Sequence, residues 1–322
     1  MTSLLDSFSE LMTGDLVGEL GRDARIGGAQ AQRGLQVVAP LVLSSLARKS
    51  ESISGRDSIM DLLARVDLTA TQGGPLPPGR ILSGVLGPGA NTISKAVGGR
   101  LGFDAKPLLY ASAAALLGLI GKAARDGKLN SADIAASLQQ QHRDSMAHAP
   151  EDVRAVVAEA SLLSDRAEDL KARFTDGEWR TIRLAPKAVT LYVVTAAPSG
   201  SRAMTKEMNV AAQAIRVLVK TALPTSLVDV AFGAAEGDVE LFGAGGLDAA
   251  SSRSAMLACV REAATAVKAK SPVDYTSFGD TLTSLAQKVA EASKEGGFLG
   301  IGGSLVSEDE ERAVAEIAST VW

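Results

Sequence analysis

His142 and His148 are the only imidazoles in 322 residues, and Asp144, Glu151 and Asp152 lie close to them in the chain. Neutral imidazole and carboxylate are natural zinc ligands and the usual partners in general acid–base work. The spacing argues against both uses. On an α-helix, residues six apart point about 240° away from each other, so the two rings meet at one ion only if the segment is irregular. A polar joint, HRDSMAHAP, is the better reading of residues 142–150. A Ser/His/Asp triad would have to recruit its base from that joint, which disfavours hydrolase chemistry. No catalytic residue is assigned, and the chain is expected to hold no metal and no cofactor.

Glycine-rich stretches are the next place to look for chemistry. Gly84 to Thr92, GVLGPGANT, leads into a helix whose first amides are free to hold an anion, but it lacks the lysine of a phosphate loop. Asn91 or Thr92 serves there as a plain N-cap. Gly296 to Gly303, GGFLGIGG, has the glycine density of a dinucleotide loop, yet it follows a helix where a strand is required. Asp126-Gly127-Lys128-Leu129-Asn130 begins like a calcium loop and omits the other acidic positions and the closing glutamate. It reads as a helix-ending turn, with Asn130 or Ser131 capping the next helix. Cys259 is the single cysteine, so no disulfide can form within the chain; it reads as a small buried apolar residue in a reducing compartment.

The elements around these residues are helical. Hydrophobic residues make up 46% of the chain and aromatics only 4%, so burial rests on Ala, Leu, Val and Ile, which suit closely approaching helices. Two apolar runs dominate, Leu35 to Leu46 and Leu108 to Ile120. Each follows a glycine-punctuated segment. Arg25-Ile26-Gly27 lines up with Arg100-Leu101-Gly102; after a one-residue gap, Leu35, Val42, Leu43, Leu46 and Arg48 fall opposite Leu109, Leu116, Leu117, Ile120 and Lys122. This suggests an internally duplicated module. Pro40 costs the first run a backbone hydrogen bond and predicts a kink or break, whereas Pro107 suits a first helical turn. Between the modules lie a helix from about Asp57 to Val66 and the linker Gly73 to Gly79.

From Glu151 onward the pattern predicts helices near 151–174, 178–197, 203–222, 226–235, 249–270, 277–294 and 308–321. Ser307 and Glu310 form a capping box before the last of them. The expected organisation is an all-α helical bundle of two domains, residues 1–148 and 149–322.

The order ARIGGAQAQRGLQVVAPLVLSSLARKS, then ILSGVLG, then GRLGFDAKPLLYASAAALLGLIGK resembles the YidB-like bacterial domain of unknown function. That family pairs a proline-containing apolar helix ending in a cation with a later Leu/Gly-rich helix. Val38-Ala39-Pro40-Leu41 and Leu46-Ala47-Arg48-Lys49 match the first part, and Leu116 to Lys122 the second. The resemblance covers roughly residues 1–143 and implies an all-helical fold, with no catalytic residue to carry over. The second half has a faint likeness to helical TerB-like domains, from which nothing is transferred because their acidic signature is missing.

Net charge is −4, from 33 basic and 37 acidic residues, without a basic stripe that interleaves aromatics, so nucleic-acid binding is disfavoured. Residues 1–150 carry 15 basic and 13 acidic side chains and the remainder 18 and 24, an asymmetry typical of solvated helix faces. The N-terminus lacks a basic region ahead of its apolar residues, and no uncharged apolar stretch reaches the roughly 18–20 residues of a membrane span. The expectation is a cytoplasmic bacterial protein that binds a protein partner or itself and acts as a non-catalytic scaffold. The alternative is a small-ligand-binding protein or enzyme with a site between the two helical halves. That site would draw on residues 296–303, the Trp179 region, and Arg180, Arg183, Glu207 and Asp229.

Overall fold

The computed structural model describes residues 3–66, 78–196, 201–233, 252–292 and 307–322. These are 88% helical, in fourteen α-helices, with no strand among the described residues. The chain forms two compact units, Met1–Glu168 and Asp169–Trp322. Most of the linker Gly73 to Gly79 and the glycine run 296–303 lie outside the described residues.

In the first unit the helices are α1 (Leu4–Leu11), α2 (Gly14–Asp23), α3 (Gly28–Lys49), α4 (Ile53–Val66), α5 (Pro78–Leu86), α6 (Ala90–Leu101), α7 (Lys106–Gly127), α8 (Ser131–His148) and α9 (Glu151–Ala172), which runs on past the unit boundary. The two apolar runs become α3 and α7, which pack on each other at the centre. Leu109, Leu116, Leu117 and Ile120 are all buried, as their spacing requires. All eight buried positions of α7, shifted back by the 74-residue offset of Leu109 from Leu35, land on buried positions of α3. The turns before the two helices also correspond, in a register other than the sequence alignment. Arg25 and Gly102 both take positive φ (57° and 79°), and Ile26 and Phe103 donate N–H groups to the carbonyls of Gly21 and Gly98. Gly102 therefore matches Arg25, where the sequence pairing set it against Gly27. A helix C-terminus places its left-handed residue ahead of the closing amide, and this geometry decides the pairing.

Pro40 does not break α3, which continues through it to Lys49. The cations that end α3 have defined work. Lys49 Nζ donates to the carbonyl of Gly84 at 2.5 Å, and Arg48 donates to Asp165 and Ser164 and to the carbonyl of Ser161 at 3.4 Å, fixing α3 to α9. Single bonds of this half-exposed type contribute about 1 kcal/mol each. Their value here is positional, since they join α3 to two elements far away in the chain.

Three further sequence expectations change. The segment from His142 to His148 is not a loose joint but the last two turns of α8. The unit boundary falls at 168/169 and not at 148/149, because Val153, Val156, Val157 and Ala160 of α9 are buried in the first unit's core. Asn91 and Thr92 do not cap a helix: α6 begins at Ala90, and both are buried within its first turn. The nearby glycines serve close packing, for a Cβ on Gly84 would come within 2.6 Å of Leu62 and one on Gly89 within 3.1 Å of Ala167. At Asn130 the expectation holds, since its side chain accepts from the amides of Ala132 and Asp133 and caps α8.

The second unit contains α10 (Asp176–Val194), α11 (Ser201–Thr221), a π-helical turn (Val228–Phe232), α12 (Arg253–Lys270), α13 (Pro272–Ala292) and α14 (Glu308–Val321). Helix α10 packs along α12 and α13, and α14 lies against α12 and α13. Ser307 and Glu310 form the expected capping box, and α14 buries Ala313, Ile317 and Val321. Like α3, α10 contains an internal proline, Pro186. Arg253 ties three helices together: it lies 3.8 Å over the Tyr192 ring, donates to the Tyr192 carbonyl at 2.8 Å and pairs with Glu316 at 3.6 Å.

One described helix, α7, is long and apolar enough to cross a membrane by length and composition. Its buried face is committed to the first unit's core.

Candidate functional site

A cleft of about 670 Å³ opens in the first unit between the start of α1, the middle of α3, the last turns of α8 and the start of α9. Its walls include Ser3, Leu5, Asp6, Gln36, Pro40, Ser137, Gln140, Gln141, Asp144, Ser145, His148 and Val153. A second cavity of about 300 Å³ lies beside it, lined by Leu4, Ser7, Leu119, Ile120, Lys122, Asp126, Ile134 and Leu138, and the two share Ser137 and Gln141. Helix α1 forms the partition. Leu5 and Asp6 face one cavity, Leu4 and Ser7 the other.

Two anchors hold α1 in that place. Phe8 is buried in the core, and the amide of Leu4 donates to Gln141 Oε1 at 2.5 Å, which satisfies a helix-start amide from across the groove. Ser3 supplies the N-cap by accepting from the amides of Leu5 and Asp6. Proline has no N–H, so the carbonyl of Gln36, another wall residue, receives no helical bond from position 40. Pro40 lines the cleft and is also buried in α3.

The wall is a mixture of apolar surface, amides and hydroxyls. Asp6 and Asp144 contribute two carboxylates to the larger cleft, and neither Lys nor Arg lines it. Gln140 is held between Arg143 and Asp144, its amide nitrogen 2.9 Å from Oδ1 of Asp144. Such a surface suits a neutral or cationic polypeptide segment far better than a phosphate.

Of the two histidines, only His148 reaches the cleft. Its Nδ1 lies 2.9 Å from the carbonyl of Asp144, which assigns the proton of the neutral ring to Nδ1 and leaves Nε2 as an acceptor. His142 has a buried Nδ1 without a hydrogen-bond partner. Burial lowers its pKa, Arg143 lowers it further, and Glu51 opposes the shift. The helix holds the two rings on different faces, and no group of three or more His, Cys, Asp or Glu residues suited to a metal occurs among the described residues.

The described residues expected to form the alternative site stand on α10, α11 and the π-helical turn, three elements that contact one another. Trp179 is a core residue, tilted against Phe174 at 5.9 Å, and Arg180 is exposed. Glu207 and Asp229 are buried on α11 and on the π-helical turn, both in contact with α10, which carries Arg183. The sequence reading missed Lys187, 2% exposed and also on α10, though a lone lysine in the apolar run APKAVTLYVV was a signal. Arg183, Lys187, Glu207 and Asp229 all have partners, and Asp229 also accepts from the amide of Thr225 at 3.1 Å. The Cys259 thiol lies 3.8 Å from the carbonyl of Thr181, and burial, assisted by Glu262, pushes its pKa up to about 11. That is the environment of an inert thiol.

Comparison with protein-family models, with curated proteins and with solved structures found no match to this chain.

Proposed function

We propose that this protein is a non-catalytic binding or scaffold protein, whose first unit is of the YidB-like kind and receives a partner polypeptide in the groove occupied by α1. The observation that carries this reading is the seating of α1 itself. A short amphipathic helix lies in a groove with one anchoring aromatic, one main-chain hydrogen bond to a groove glutamine and open volume on both sides. This is the helix-in-groove mode of peptide recognition, and the acidic wall favours a segment with basic residues. A reducing cytoplasmic location is consistent with a single, protonated, half-buried cysteine.

The test is a photo-crosslinking residue at position 145 of the full chain in its native cell. The expected result is an adduct with a second polypeptide, lost when Ser137→Trp fills both cavities while the circular dichroism spectrum is kept. Adducts confined to the chain's own α1 would refute the reading.

The alternative is a small-ligand or enzymatic site. It draws support from the buried charges Lys187, Glu207 and Asp229 and from the π-helical turn that carries Asp229, since such turns are frequent at functional sites.

A further inference from the structure

Among the described residues, the two most exposed large hydrophobic side chains of the protein are Val273 at 84% and Leu223 at 77%. They stand at the same end of the second unit. Leu223 lies in the turn after α11, and Val273 in the first turn of α13. The two turns are joined, since the amide of Leu227 donates to Oδ1 of Asp274 at 3.0 Å, and Ser271 Oγ donates to Oδ2 of the same carboxylate at 2.6 Å. Pro224 and Pro272 stiffen them further. An exposed apolar pair on a rigid support differs from a frayed loop tip, because insertion into another phase costs it little ordering entropy.

Cations surround this pair. Lys220 is in the last turn of α11, and Lys268 and Lys270 are in the last turn of α12, immediately before Val273. Arg173 reaches Ser271 at 3.4 Å. Lys270 is neutralised by Glu178 at 2.6 Å, while Lys268 lies over the Tyr275 ring at 5.0 Å, and neither Lys268 nor Lys220 pairs with a carboxylate among the described residues. The nearest acid, Asp274, is occupied by its two donors. Exposed apolar tips within a cationic rim have the signature of reversible attachment to an anionic lipid surface, where a shallow insertion and an electrostatic attraction must act together.

We propose that the Leu223/Val273 end of the second unit docks on anionic membranes, with the two side chains entering the headgroup boundary and Lys220, Lys268 and Arg173 facing the lipid charges. This is independent of the groove in the first unit.

Co-sedimentation of the full chain tests it, using vesicles of phosphatidylcholine alone and vesicles with one third phosphatidylserine. The expected result is binding to the anionic vesicles only, weakening as salt rises. Lys220→Glu with Lys268→Glu should reduce the partition coefficient at least about 25-fold, from about fivefold per lysine. Leu223→Asp with Val273→Asp should abolish binding at an unchanged melting midpoint. Should the aspartates unfold the protein, Leu223→Ser with Val273→Ser replaces them. Absence of binding to anionic vesicles, or equal binding by the variants, would overturn the proposal. So would self-association removed by the same apolar substitutions without lipid binding, which would assign this surface to a protein contact.

Discussion

Two substitutions two residues apart in α7 should change stability in opposite directions. Leu116 has no exposed surface and lies where α7 meets the first unit's other core helices. Leu116→Ala removes the equivalent of three methylenes, about 2.4 kcal/mol at about 0.8 kcal/mol each. The vacated volume adds to this, because the surrounding helices are held by their own packing and relax only partly, so the expected loss is about 3–4 kcal/mol. Gly118, two residues on, is exposed, and a Cβ built on it meets nothing within 4 Å. Gly118→Ala therefore costs no contact and restricts the unfolded chain, stabilising by about 0.5–1 kcal/mol. Urea denaturation followed by hydrogen exchange of α7 peptides reads both effects. With a slope of about 2 kcal/mol per molar urea, the first variant's midpoint falls by about 1.5–2 M and the second's rises by about 0.3–0.5 M. An unchanged midpoint for Leu116→Ala, or a lower one for Gly118→Ala, would show that the assigned face of α7 is wrong.

A Cβ at Gly55 would lie 1.8 Å from the carbonyl oxygen of Lys49, so Gly55→Ala should open the α3–α4 turn and cost about 3 kcal/mol or more, seen as early exchange of residues 50–56. Lys187 is buried and partnered, and Lys187→Met should destabilise the second unit by about 1–3 kcal/mol by leaving a buried polar partner unsatisfied, measured by thermal unfolding. Glu178 is held down at about 2, first by the hydrogen bond from Lys270 and then by those from Thr175. Its folded pKa is below its ordinary 4.5, so its stabilisation is complete above that value and lost as pH falls toward about 2. The stability gap between wild type and Glu178→Gln should narrow over that window, and a gap independent of pH would contradict the assignment. At pH 8 the thiolate fraction of Cys259 should be about a hundredfold below that of an ordinary thiol, given its rise from 9.0 to about 11. Iodoacetamide should accordingly label it slowly in the folded protein and quickly in urea.

The parts of this structure legible in the sequence are those set by local periodicity and by capping chemistry. The helix faces of α3 and α7, the Asn130 cap and the Ser307/Glu310 box depend on residues within one or two turns of one another, and all stand where the pattern placed them. The groove was not legible, because its defining bond, Leu4 to Gln141, spans 137 residues, and serines and glutamines carry no periodic signal. The unit boundary was missed for a related reason. The helix α9 is strongly charged on its outer face, and its buried valines, Val153, Val156 and Val157, declare their partner only when α3 and α8 are in place.

Pro40 shows why a residue can look like a defect in sequence and an asset in structure. A proline in a lone helix costs roughly 3 kcal/mol, yet α3 continues through it because the helix is buried on nearly every side around that position and tertiary packing outweighs local propensity. The same substitution of ring for N–H leaves the carbonyl of Gln36, a residue of the cleft wall, without its helical donor. An incoming polypeptide amide is the natural donor to such a group, since a main-chain acceptor left unmet in a closing groove is costly. Pro40→Ala should therefore strengthen α3 and weaken the capture of a partner at position 145. A variant that gained stability and kept the crosslink undiminished would separate the proline from binding and leave it a purely architectural residue.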